Sequence, residues 1–122
     1  MISSAQAGVR GITDLCDAFF LALADHSPPR KLTLSGMIVA WRESRPAIVQ
    51  PRFEGKHGHP ILIPSSLAPE ILALTSDQTL ASIVKRHSSD AREVIANDPA
   101  ILEDIDTPDD YNRALRRWKE IA

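Results

Sequence analysis

Residues 101–111 read Ile101-Leu102-Glu103-Asp104-Ile105-Asp106-Thr107-Pro108-Asp109-Asp110-Tyr111. Asp104 and Asp106 are two positions apart, so in an extended segment both carboxylates project to one face while Ile105 points the opposite way, into a core. Two like charges held side by side favour a bound cation. The segment therefore indicates metal-dependent phosphate chemistry.

The same segment continues into a predicted helix start. Thr107 is the expected N-cap, Pro108 takes the first helical position, and Asp109 and Asp110 lie in the first turn, facing the positive end of the helix dipole. Thr107-x-x-Asp110 also approximates a capping box. A second interpretation stays open, in which all these acids only cap and solubilise one helix.

The composition indicates one globular domain over residues 1–122. The chain is 43% hydrophobic and 25% charged, and its net charge of −2 argues against a nucleic-acid-binding protein, which usually carries a basic surplus. The single Cys16 cannot form an intramolecular disulfide. The longest apolar stretch, residues 18–24, is far shorter than the roughly 20 residues of a membrane helix. We therefore expect a cytoplasmic protein that binds neither nucleic acid nor a membrane.

Apolar periodicity predicts strands that alternate with helices. The predicted helices are residues 3–15, 32–42, 66–73, 79–87 and 108–121, and the predicted strands are residues 18–23, 46–51, 60–64, 92–95 and 102–106. Such alternation favours an α/β fold with a mostly parallel sheet, helices on both faces, and ligand sites at the carboxyl ends of strands. In the last helix, one apolar, core-facing side is predicted from Tyr111, Leu115, Trp118 and Ile121.

Several segments resemble one protein family in their order and spacing. They are Gly58-His59-Pro60-Ile61-Leu62-Ile63, residues 72–78 and residues 98–111, preceded by the apolar residues 18–24 that end at Asp25. Together they look like the molybdenum-cofactor cytidylyl/guanylyltransferase-like nucleotidyltransferases. The resemblance covers nearly the whole chain and implies a partial Rossmann-like, three-layer fold of the nucleotide-diphospho-sugar transferase type.

This resemblance implies a set of metal ligands. Asp25 corresponds to the family's strand-end aspartate, which coordinates a magnesium ion on the substrate phosphates, and Mg²⁺ prefers such oxygen ligands. Asp104, or Asp106 on the same face, corresponds to a second carboxylate on that ion, so Asp25 and Asp104 are the expected catalytic residues. Two alternatives stay open: Asp25 starts a turn before residues 27–29, and Asp104 pairs with Arg113 without a metal.

Substrate contacts are implied in the same way. Ser3 and Ser4 correspond to a serine-rich helix start. Gly58, His59 and Pro60 correspond to a loop near the acceptor substrate, where a histidine can donate to a phosphate or a pterin group. Gly58 permits close backbone approach in this loop. The alternative for the loop is an exposed hairpin-like turn.

The chain departs from the family pattern at two places. It lacks a glycine-rich loop of the type L-A-A-G-x-S-x-R-M-G-x-x-K, which holds the nucleotide phosphates in the family. Residues 76–81 also lack the two glycines and the arginine of the family's Gly-Asp-x-Gly-Ala-Arg. We therefore expect the chain to correspond to the C-terminal part of a nucleotidyltransferase domain.

Two functions from different classes follow from these observations. The first is a nucleotidyltransferase that uses Mg²⁺ to transfer CMP or GMP from CTP or GTP to a pterin-type acceptor, molybdopterin. The second is a non-catalytic, truncated homologue that self-associates or binds a partner, which the absent phosphate loop favours for the isolated chain. Missing strands would expose a sheet edge and apolar helix faces, so a homo-oligomer is predicted.

Overall fold

The helices and strands alternate along the chain in the computed structural model, which describes residues 2–12, 16–22, 25–75 and 77–121. The helices are α1 (Ile2–Ile12), α2 (Lys31–Ser44), α3 (Ala68–Leu72), α4 (Leu80–Arg86) and α5 (Pro108–Ile121). The strands are β1 (Ala18–Leu21), β2 (Ile48–Phe53), β3 (Lys56–His57), β4 (Ile61–Pro64) and β5 (Ala91–Ile95). Short 3-10 turns cover Ser65–Leu67, Ser88–Asp90 and Pro99–Leu102.

The described strands form one mixed sheet in which β4 lies between β1 and β2, and β2 also pairs with β5. The β1–β4, β2–β3 and β2–β4 pairings are antiparallel, and only the β2–β5 pairing is parallel. The sheet is thus less parallel than the strand–helix alternation predicts. The reason is the turn after β2, where Glu54 and Gly55 both have positive φ. Two positive-φ residues reverse the chain in a tight hairpin, so β3 and β4, which come next, run antiparallel to β2.

Helices cover both faces of the sheet. Successive residues of β4 point to opposite faces, and Ile61 and Ile63 join a core cluster with Val9 of α1 and Ile71 of α3. Residues on the other face form a second cluster under α2: Met37, Ala40, Trp41, Val49 and Leu62. The predicted three-layer α/β fold class is therefore confirmed. No helix within the described ranges is both long and apolar enough to cross a membrane.

The segment before α5 is not the strand predicted over residues 102–106. The chain forms the 3-10 turn Pro99–Leu102 instead, followed by a single bridging residue, Asp104. The side chain of Asp98 begins this turn by accepting a hydrogen bond from the backbone N–H of Ala100 at 3.1 Å. Asp98 and Pro99 are turn-forming residues, and here their local preference overrides the apolar pattern that follows them.

Helix α5 begins as predicted. The backbone N–H of Asp110 donates to the Thr107 hydroxyl at 3.1 Å, and the Thr107 N–H donates to the Asp110 carboxylate at 3.2 Å. This reciprocal pair is a capping box. The predicted apolar face is wrong for the described side chains, because Tyr111 is 56% exposed and Leu115 is 36% exposed, whereas Ala114 is buried.

Candidate metal centre

The loop after β1 lies against the segment that precedes α5. The backbone N–H of Ile105 donates to the Asp25 carbonyl at 2.5 Å. The N–H of Ser27 donates to the Glu103 carbonyl at 3.0 Å. Because these two hydrogen bonds run in opposite directions across the same pair of segments, they hold the two backbones in a fixed antiparallel register.

His26 and Asp104 face each other at the centre of this pairing. Nε2 of His26 lies 2.5 Å from Oδ1 of Asp104. One ligand-type atom each from Asp25, His26 and Asp104 lies within 4.8 Å of the other two. The His26 side chain is 12% exposed and that of Asp104 is 56% exposed. The cluster is therefore anchored by its histidine and opens to solvent through its carboxylates.

The donor set of this cluster fits a divalent cation. Two carboxylates supply the negative charge, and carboxylate oxygens and imidazole nitrogens are both common metal ligands in proteins. Asp106, the alternative ligand to Asp104, is exposed and does not belong to the group. Arg113 is not the basic neighbour of Asp104, because Arg113 pairs with the carboxylate of Asp110 and Asp104 contacts His26 instead.

The side chain of Glu103 contacts both the loop after β1 and helix α5. The Ser27 hydroxyl donates to one carboxylate oxygen of Glu103 at 2.6 Å. The guanidinium of Arg117 in α5 pairs with the other oxygen at 2.6 Å. Ser27 is buried. Because Glu103 contacts both Ser27 and Arg117, it links α5 to the loop that carries Asp25 and His26.

Asp98 holds the other end of the same loop. Its carboxylate is 0% exposed and accepts hydrogen bonds from the Arg30 backbone N–H and the Thr33 hydroxyl, both at 2.8 Å. Arg30 precedes α2 and its own side chain makes no cap bond, so Asp98 caps this helix from 65 residues further along the chain. A carboxylate at a helix N-terminus is also favoured by the helix dipole.

The loop of Gly58, His59 and Pro60 packs beside this centre. The His59 backbone N–H donates to the Ile101 carbonyl at 2.9 Å, and the Gly58 N–H donates to the Pro51 carbonyl at 3.0 Å. A Cβ atom on Gly58 would lie 2.2 Å from that Ile101 carbonyl oxygen. Only glycine therefore fits, which confirms the expected close backbone approach.

The imidazole of His59 connects the metal-ligand cluster to a neighbouring pocket. Its ring meets the His26 ring edge to face, with centroids 5.3 Å apart and planes at 86°. Burial, and secondly the neighbouring His26, lower the pKa of His59 below its ordinary 6.5. His59 also lines a pocket of about 400 Å³ whose walls include Leu21, Gln50, Ile61, Val84 and Lys85.

Sequence reasoning identified Asp25 and Asp104 but missed three residues that build the centre. Asp98 and Glu103 lie in a segment of the family pattern, but nothing in the sequence indicates the roles of these two residues or of His26, because those roles depend on contacts across more than 60 residues. The predicted Ser3 and Ser4 lie within α1, and their side chains fall outside the described part of the structure. The exposed-hairpin interpretation applies to residues 52–57, which form the β2–β3 hairpin, whereas Gly58 and Pro60 are buried.

Comparison with known proteins identifies the family. A model of the "MobA-like NTP transferase domain" matches residues 1–91 of the 122-residue chain. The chain belongs to the MobA-like NTP transferase family. The matched residues include Asp25, His26 and His59 and end before Asp104, which reaches the cluster through the fold. No curated protein shows significant sequence similarity to this member of the family.

Three solved structures resemble this MobA-like chain. The homologue of Mycobacterium tuberculosis Rv0371c from Mycobacterium sp. strain JC1 has a TM-score of 0.75 at 19% identity, over 98% of this chain and 59% of that one. Rv0371c of M. tuberculosis H37Rv in complex with manganese has a TM-score of 0.72 at 25% identity, over 93% of this chain and 60% of that one. A second Rv0371c structure has the same score and identity and is covered over 57% of its length. The chain thus spans somewhat less than two thirds of these relatives.

Proposed function

We propose that the chain carries the cation-binding part of a nucleotidyltransferase site, in which Asp25 and Asp104 hold a divalent cation, expected to be Mg²⁺. The observation that carries this proposal is the convergence of Asp25, His26 and Asp104 within 4.8 Å in a MobA-like NTP transferase domain. The manganese complex of Rv0371c gives further support for a divalent cation. Such a cation, when bound, neutralises triphosphate charge and stabilises the charge that develops on the transferring phosphorus.

The proposed reaction transfers CMP or GMP from CTP or GTP to a phosphate of a pterin-type acceptor such as molybdopterin. An oxygen of the acceptor phosphate bonds to the α-phosphorus, the bond from the α-phosphorus to its bridging oxygen breaks, and pyrophosphate leaves. In this proposal Asp25 and Asp104 act on the nucleotide phosphates through the cation that they would hold, and positioning supplies much of the rate enhancement.

The acceptor side of the proposed site is the loop of Gly58, His59 and Pro60 with the adjoining pocket. The pocket's volume of about 400 Å³ lies in the range of small-molecule sites. Its apolar wall suits a flat heterocycle, and Lys85 at its edge suits an anionic group. Burial lowers the pKa of His59 and so favours its neutral ring, and a neutral imidazole can donate one hydrogen bond to the acceptor without adding charge.

Calorimetric titration with CTP and GTP, with and without Mg²⁺, tests this function. The wild type is expected to bind at least one nucleotide only when Mg²⁺ is present, and Asp25→Asn is expected to lose that binding. Asp109→Asn is the matched control, because it removes the same charge from an exposed position outside the cluster. Equal binding by wild type and Asp25→Asn, or no binding by wild type, contradicts the proposal.

The second candidate function is a non-catalytic module that self-associates or docks a partner. It is favoured by one observation: within the described residues, β1 pairs with β4 on one side only and ends the sheet. An unpaired strand edge is a template for pairing with another chain. Sedimentation equilibrium over a hundredfold concentration range is expected to show a dimer or larger species, and a monomer at every concentration rejects self-association.

A further inference from the structure

The metal-ligand cluster contains a histidine that the magnesium expectation does not require. His26 follows Asp25 directly in the sequence and lies opposite Asp104 at the centre of the bridge. The backbone hydrogen bonds on either side of it, from Ile105 to Asp25 and from Ser27 to Glu103, fix the direction of its side chain. The backbone pairing therefore fixes the position of its imidazole in the cluster.

The ring of His26 is held in place by protein on only part of its surface. Its Nε2 contacts Asp104 at 2.5 Å, and the edge-to-face contact with His59 fixes the ring plane. Its Nδ1 is buried and has no hydrogen-bond partner among the described residues. Nε2, the nitrogen on the Asp104 side, is therefore the ring atom placed to share a cation with the carboxylates.

We propose that His26 is a third metal ligand of this centre and that its nitrogen makes the centre prefer first-row transition-metal dications to Mg²⁺. The proposal rests on the proposed cation-binding role of Asp25 and Asp104. Mg²⁺ is satisfied by oxygen ligands and retained waters, and gains little from an imidazole. Mn²⁺ and Co²⁺ accept mixed nitrogen and oxygen ligands, and affinity rises from Mn²⁺ to Co²⁺ along the first row. Two carboxylates and one imidazole form such a mixed set.

The position of the donors supports one shared ion. All three ligand-type atoms lie within 4.8 Å of one another, so they can face a single cation after small side-chain rotations. The carboxylates of Asp25 and Asp104 are exposed, which leaves the remaining coordination positions to water or to phosphate oxygens. The ring nitrogen of His26 thus sets the preference for the metal, while the solvent-exposed side of the cluster stays accessible to the substrate.

The test uses the metals alone, without nucleotide. Co²⁺ is titrated into the full chain and followed by its visible absorption, and Mg²⁺ is then added as a competitor. The wild type is expected to bind Co²⁺ at least about tenfold more tightly than Mg²⁺. His26→Gln is expected to weaken Co²⁺ binding by about tenfold or more and to change Mg²⁺ binding by less than about threefold. Equal affinities of the wild type for the two metals, or an unchanged Co²⁺ affinity in His26→Gln, overturn the proposal.

Two further samples make the result specific. His57→Gln is the matched control, since His57 is an exposed histidine whose ring pairs with Glu93 outside the cluster, and it should bind Co²⁺ like wild type. In the wild-type chain itself, one equivalent of diamagnetic Zn²⁺ should shift the ring-nitrogen NMR signals of His26 and leave those of His57 unchanged. Unshifted His26 ring-nitrogen signals overturn the proposal even if the His26 variant does not fold. Metal binding without nucleotide binding would instead reject only the proposed transferase function.

Discussion

Replacing Gly58 by alanine should disrupt the contact that joins the His59 loop to the segment before α5. A Cβ at this position would lie 2.2 Å from the Ile101 carbonyl oxygen, 2.7 Å from its carbonyl carbon and 2.9 Å from its Cβ. The first two of these atoms are backbone atoms, so no side-chain rotation relieves the overlap. The same carbonyl accepts the hydrogen bond from the His59 N–H at 2.9 Å, and this bond must lengthen or break.

The expected loss of stability combines three contributions. Forcing one extra carbon into a packed site costs about 1–3 kcal/mol, and loss of the hydrogen bond from His59 costs about 1 kcal/mol. The lower entropy of the unfolded alanine chain offsets about 0.4–1 kcal/mol. The net prediction is a decrease of about 1–3.5 kcal/mol in the free energy of unfolding.

Urea denaturation followed by circular dichroism measures this difference. Gly36→Ala is the matched control, because its nearest non-local atom is a Val94 methyl at 3.7 Å and alanine is favoured over glycine inside a helix by about 1 kcal/mol. The control should therefore be as stable as wild type or more stable. A Gly58→Ala protein within about 0.5 kcal/mol of wild type would refute the close packing described for this loop.

Three further changes test the contacts around the centre. Asp98→Ala leaves three donors without their buried acceptor and should lower the free energy of unfolding by about 2–4 kcal/mol; a loss below about 0.5 kcal/mol in urea denaturation contradicts the capping role. The pKa of Glu70 is lowered first by its hydrogen bond from Arg86, so its ionised form stabilises the fold by up to about 1 kcal/mol. The difference in free energy of unfolding between wild type and Glu70→Gln should be largest at pH 7 and should shrink as the pH falls below 4.5, the ordinary pKa of this group. Thermal unfolding measures this difference from pH 7 to pH 3, and a constant difference argues against the prediction. Thr107→Ala should lower the free energy of unfolding by about 1 kcal/mol. Thr79→Ala should lower it by less, because Thr79 precedes α4 without a side-chain cap bond, and equal losses would contradict the capping box.

The sequence predicted the elements whose signals are local. The start of α5 follows from Thr107, Pro108 and Asp110, because a capping box depends only on residues three apart. The continuous apolar run at residues 61–63 of β4 likewise predicts a strand buried on both faces. The sharp turn at Glu54 and Gly55, which makes much of the sheet antiparallel, was less visible, since glutamate rarely adopts positive φ.

The candidate centre depended on longer-range contacts, and the sequence predicted only part of it. The sequence indicates Asp25 and Asp104, which lie together in the structure, because each belongs to a recognisable segment of a family pattern. The partnership of His26 with Asp104 joins residues 78 positions apart, and no periodicity encodes such a contact. The apolar face of α5 was wrong for a related reason: the hydrophobic spacing of Tyr111 and Leu115 predicts a buried stripe, but burial depends on which neighbouring element covers the helix.

A comparison of Asp104→Asn with Asp106→Asn tests the proposed cation site most directly. The two changes remove the same charge two residues apart, and only Asp104 lies in the cluster with Asp25 and His26. In calorimetric titrations with CTP and GTP at fixed Mg²⁺, Asp104→Asn should lose the Mg²⁺-dependent binding and Asp106→Asn should retain it. Retained binding in Asp104→Asn together with lost binding in Asp106→Asn would contradict the assignment of Asp104 as the metal ligand.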